Sequence, residues 1–68
     1  MNEIKLSVPD VHCDHCKSSI EGAVGNIDGV ATANVLIEEH TVDVAYDGQE
    51  RTFQRIVAAI EGQGYEVV

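Results

Sequence analysis

The chain has 68 residues, 44% of them apolar, and a formal net charge of -8. That is one small domain, residues 1–68, whose limited core leaves no room for a deep substrate cleft. The apolar fraction excludes disorder, and the acidic balance excludes nucleic acid and anionic membrane surfaces, which need basic patches.

With no Trp and one Phe, aliphatic residues must fill the core. Ile4, Leu6 and Val8 alternate with Glu3, Lys5 and Ser7, the period of a half-buried strand. Pro9-Asp10 ends it. The stretch Val11-His12-Cys13-Asp14-His15-Cys16 follows as a loop and holds both cysteines. From Asp14, read as an N-cap, Cys16, Ile20, Ala23, Val24 and Ile27 fall on one helical stripe. Asp28-Gly29 is a turn. Residues 30–37 and 41–46 are strands joined by the polar link Glu38-Glu39-His40, which suits a hairpin. After the loop 47–50, Thr52 is read as the N-cap of a second helix with Phe53, Ile56, Val57 and Ile60 on its apolar stripe. Gly64 suits a left-handed helix end, and residues 65–68 are expected to form a last strand. The order predicts an α+β, ferredoxin-like βαββαβ fold, a four-stranded antiparallel sheet with both helices on one face.

The chemistry concentrates in the cysteine loop. Two cysteines cannot form a secreted disulfide scaffold, and C-x-x-C in an unexported chain reads as metal-binding or redox-active. Asn2, Glu3 and Lys5 interrupt any signal-like run, and no stretch approaches the ~20 apolar residues of a membrane span. The expectation is therefore a cytoplasmic protein without direct membrane insertion. Cys13 lies just before the first helix and Cys16 in its first turn, where unpaired N–H groups and the helix dipole favour thiolate. Thiolates select soft ions, and two of them satisfy Cu(I), whereas structural Zn and iron–sulfur centres want four ligands.

The neighbours divide by placement. His12 is read as a loop residue beside the ligands, with a third-ligand role as its alternative. His15, one residue from Cys16, points ~100° away on a helix and faces solvent. Lys17 can offset the charge of a bis-thiolate. Tyr65 is either core filling or part of the site. His40 is read as a solvated turn residue far from the cysteines. Glu38, Glu39 and Glu50 are read as surface charge.

The chain resembles the heavy-metal-associated domain family over essentially its whole length, and most closely the free-standing bacterial copper chaperones. The family pattern Met-x-Cys-x-x-Cys appears as Val11-His12-Cys13-Asp14-His15-Cys16, so the family's ligands map onto Cys13 and Cys16. Gly29-Val30 and Gly64-Tyr65 match further family positions, the Tyr lying beside the metal loop. Val11 replaces the family Met, and His12 the usual Thr or Ser. The resemblance implies a carrier, not an enzyme. It would bind Cu(I) and pass it by thiolate exchange to the metal-binding domain of a copper-transporting P-type ATPase or to a copper-responsive regulator. It also implies a monomer when metal-free, with a copper-bridged homodimer as a second state. The alternatives left open are a mercury- or zinc-binding protein of the same fold, a detached domain of a larger transporter, and a thiol–disulfide redox protein.

Overall fold

A computed structural model, which describes residues 2–68, has the order β1 (Asn2–Ser7), α1 (Asp14–Gly25), β2 (Val30–Leu36), β3 (Thr41–Tyr46) and α2 (Glu50–Gly62). The strands form one antiparallel sheet in the order β1-β3-β2. Leu6 faces Val42, Ile4 faces Val44, and Val35 faces Val42 from the other side, so one sheet face is continuously apolar. Both helices present buried residues spaced by four, Cys16, Ile20 and Val24 on α1 and Thr52, Ile56 and Ile60 on α2. Ile20, Val24, Ile56 and Ile60 are fully buried with Val35, Val42 and Val44, which makes a two-layer core of aliphatic side chains. Glu3, Lys5 and Ser7 point to the open face. Glu21 ties α1 to the edge strand by accepting the Val35 N–H at 2.9 Å.

The expected fourth strand is absent among the described residues. Residues 65–68 make one backbone bond to β1, from the Val68 N–H to the Ser7 carbonyl at 2.9 Å. The Tyr65 N–H is used elsewhere. It returns to the Ile60 carbonyl while the Gly64 N–H bonds the Glu61 carbonyl, the paired closure of a helix end around a left-handed residue. Gly64, with φ of +94°, supplies that residue as expected. A segment of four residues that gives its first amide to a helix cap has too few left to build a ladder.

Both expected N-caps are also corrected. Cys13, extended at φ -152° and ψ 165°, is the residue before α1, and Asp14 is the acidic residue of its first turn. Helix α2 begins at Glu50, with Gln49 before it, so Thr52 lies inside the first turn and is buried. Asp47 supports that helix start instead. Its carboxylate accepts the Gln49 N–H at 3.0 Å and the Thr52 hydroxyl at 3.2 Å. Gly29 makes room for it, since a Cβ there would fall 2.5 Å from the Asp47 carboxylate. The second strand stops at Leu36, one residue earlier than its hydrophobic pattern indicates, because Ile37 already accepts the turn bond from the His40 N–H.

Asp47→Ala should therefore lower stability by about 1–2 kcal/mol, the cost of a lost cap together with a buried hydroxyl left unpaired. Urea unfolding measures this, and an unchanged midpoint would show that Asp47 does not support α2.

Candidate metal centre

The cysteine loop rises from a β-turn. The Val11 N–H bonds the Val8 carbonyl at 3.1 Å around Pro9-Asp10, with Pro at the second position, where its fixed φ suits a turn. Val8 and Val11 are both fully buried, so the two ends of the turn are pinned in the core while its tip stays in solvent. Val11 thus fills the inward position for which the family pattern has Met.

The chain then passes from extended at Cys13 to helical at Asp14, and the Lys17 N–H closes the first helical bond on the Cys13 carbonyl at 3.1 Å. This change of conformation brings the thiols together. The Cys13 and Cys16 sulfurs lie 3.2 Å apart and are not joined as a disulfide. They differ in environment. Cys13 is half-buried on the loop side, and Cys16, 6% exposed, occupies the first rung of the α1 stripe. The site is thus a pair of thiols with one anchored member and one accessible member.

His12 is exposed, and its ring Nδ1–H donates to the Asp10 carbonyl at 2.7 Å. That bond uses Nδ1, so Nε2 is the ring nitrogen that could serve as a ligand atom. One ligand atom from each of His12, Cys13 and Cys16 can lie within 4.8 Å of the others, and this is the one such group among the described residues. His15 is exposed, as its helical spacing predicts. Lys17 is half-buried and lines a shallow groove with Ile37 and Glu39. Tyr65 is half-buried against the core, and its hydroxyl acts on the Cys16 thiol.

His40 is where the structure departs most from the sequence reading. It is not remote from the loop. Its ring Nδ1–H donates to the Val11 carbonyl, and its own carbonyl accepts the Val8 N–H at 2.8 Å. The contact joins residues 29 apart in sequence, so no local pattern announces it.

The surroundings favour thiolate at Cys16. The Tyr65 hydroxyl, then the Cys13 thiol, then the His12 main chain and ring hold the Cys16 thiol down from 9.0 to about 7, against the opposing effect of burial. The Tyr65 hydroxyl is pushed up in return, chiefly by its bond to the Cys16 sulfur. The shift is downward, so the interactions that favour the thiolate are present at alkaline pH and lost as pH falls through about 7. Following the Cys16 Cβ shift by NMR in the metal-free protein should give a midpoint near 7, and Tyr65→Phe should move it up toward the ordinary thiol value. An unmoved midpoint in Tyr65→Phe would remove Tyr65 from the site.

Comparison with known proteins agrees with this geometry. Residues 5–66 match the family model described as heavy-metal-associated domain. The chain is 44% identical to the copper chaperone CopZ of Staphylococcus aureus over 68 residues, which is all of both chains. Among solved structures, a CopZ metallochaperone superposes with a TM-score of 0.91 at 43% identity, covering 98% of this chain and all of that one. A copper-binding domain from the P-type ATPase HMA7 superposes with a TM-score of 0.86 at 31% identity, covering 100% of this chain and 92% of that one. A buried cysteine and an accessible one, paired at the start of the first helix of this fold, are carried by a chain that belongs to the heavy-metal-associated domain family.

Proposed function

We propose that the protein is a copper chaperone that carries Cu(I) on Cys13 and Cys16 and hands it to the metal-binding domain of a copper-transporting P-type ATPase or to a copper-responsive regulator. The observation that carries this reading is the pair of sulfurs 3.2 Å apart, one anchored in the helix and one accessible on the loop. Metal–sulfur bonds of roughly 2.3 Å place two opposed sulfurs at most ~4.6 Å apart, so loading parts the thiols by about an ångström or somewhat more. Cys13, extended and outside the helix, can make that adjustment by a side-chain rotation while Cys16 stays on its rung. The full-length likeness to a CopZ chaperone and the likeness to an ATPase domain support both the cargo and the destination.

Transfer on this reading is ligand exchange without redox change. A partner thiolate binds the exposed ion to give three sulfur ligands. The Cys13–copper bond then breaks, and Cys13 leaves as a thiolate that takes a proton from water. A second partner thiolate displaces Cys16 in the same way. No bond of a substrate is made or broken. With 12 acidic residues against 4 basic ones, the docking face of the partner is expected to be less acidic than the chaperone. Ligand exchange of this kind needs reduced thiols and hence a reducing compartment, which fits the cytoplasm. No helix among the described residues is long and apolar enough to cross a membrane.

The nearness of His12 favours zinc as the second reading, because it could add a nitrogen to the two sulfurs. Zinc would still lack one of its four ligands in the monomer.

Cys13→Ser and Cys16→Ser should each abolish tight Cu(I) binding, because a two-ligand site has no spare ligand. Competition with a Cu(I) chelator measures this, and tight binding by either variant would make His12 a ligand. Cys16→Ser should also cost some stability, about 1 kcal/mol, because it places a hydroxyl on the buried stripe. Cys13→Ser should leave the unfolding midpoint unchanged.

A further inference from the structure

We propose that His40, in the turn between β2 and β3, is a positioning residue for the metal loop, clamping its stem through the imidazole ring. The inference rests on the reading of Cys13 and Cys16 as the metal site and adds a residue that lies outside the C-x-x-C motif.

The backbone bonds of the stem show what the clamp does. The turn 8–11 has four polar backbone groups at its ends. Two of them, the Val8 carbonyl and the Val11 N–H, satisfy each other. The other two face away from the turn, and His40 satisfies both, the Val8 N–H with its carbonyl and the Val11 carbonyl with its ring Nδ1–H. Any residue can supply the first bond. Only a side chain with a donor and sufficient reach supplies the second, which ends on the carbonyl two residues before Cys13. On either side of that carbonyl, the Asp10 carbonyl is held by the His12 ring and the Cys13 carbonyl by the helix. The ring of His40 is therefore the link between the rigid sheet and the main chain leading into Cys13.

The backbone of His40 supports the same conclusion. It is the one non-glycine among the described residues with positive φ, at +57°. A side-chain-bearing residue is disfavoured there relative to glycine, so the ring is held in place against a conformational cost. The residue is exposed, so burial is not its main support. The bond to Val11 is the interaction that holds it.

His40→Gly separates the two roles. Glycine keeps the left-handed turn and the carbonyl bond to Val8 while removing the ring, so overall stability should hold or rise slightly. Hydrogen exchange of the Val11 amide, which reports opening of the stem, should accelerate about five- to tenfold, while the core amides of Ile20 and Val44 stay protected. Release of Cu(I) to a chelator should quicken by a similar factor. His40→Asn tolerates the left-handed turn and keeps a donor on a shorter arm, and should recover part of the Val11 protection. An unchanged Val11 amide in His40→Gly would overturn the proposal, as would equal loss of protection at Val11, Ile20 and Val44, which marks a general loss of stability. A faster Val11 amide with unchanged Cu(I) release would also overturn it. If the unaltered chain takes up no Cu(I), the copper reading fails and the clamp is judged on the Val11 amide alone.

Discussion

The site depends on the break from extended to helical backbone between Cys13 and Asp14. A C-x-x-C pair on a continuous strand would put its thiols on opposite faces. Here the first cysteine is outside the helix and the second is in its first turn, so both sulfurs converge on one point. The break is fixed from both sides. Upstream, Val8 and Val11 bury the ends of the Pro9-Asp10 turn. Downstream, Cys16, Ile20 and Val24 bury one stripe of α1 against the sheet. The core that stabilises the fold is therefore also what spaces the thiols. Loss of Val11 or Ile20 would be felt at the metal loop as well as in the unfolding midpoint.

Anchored and accessible ligands serve opposite needs of a carrier. On the proposed reading Cys16, buried and favoured as thiolate chiefly by Tyr65, would hold the ion and give up its proton readily near neutral pH. Cys13, half-buried at the loop, would leave one side of the ion open to an incoming thiolate. A fully enclosed pair would retain metal and release it slowly, and a fully exposed pair would lose it to any competing thiol. The difference arises from three positions along the chain, because those three positions carry the backbone from the solvent side of the loop onto the core stripe.

Local signals made most of this legible from sequence. Alternation at Ile4, Leu6 and Val8 and at Val42, Val44 and Tyr46 marks β1 and β3. Spacing by four marks both helices, and the C-x-x-C stands where the period changes. Gly64 is readable because one backbone conformation closes that helix. What sequence did not disclose is set by contacts between distant residues. The last four residues are apolar enough for a strand, yet the helix cap takes the Tyr65 amide, and one bond to Ser7 remains. Asp47 reads as loop until Thr52 is seen to bond it. Thr52 and Asp14 look like caps by residue type, but each helix starts before the residue expected to cap it or at that residue itself. His40 looks like turn filler because its partner, Val11, is 29 residues away.

On the proposed reading, Cys13 and Cys16 alone satisfy the cargo. X-ray absorption at the copper edge, on reduced protein loaded with one Cu(I) per monomer, tests it most directly, with a zinc competition run on the same sample. Two sulfur neighbours are expected, or three when an added thiol binds, with no nitrogen and no displacement of copper by zinc. A nitrogen neighbour from His12, or a four-coordinate zinc site formed in the monomer with comparable affinity, would contradict it.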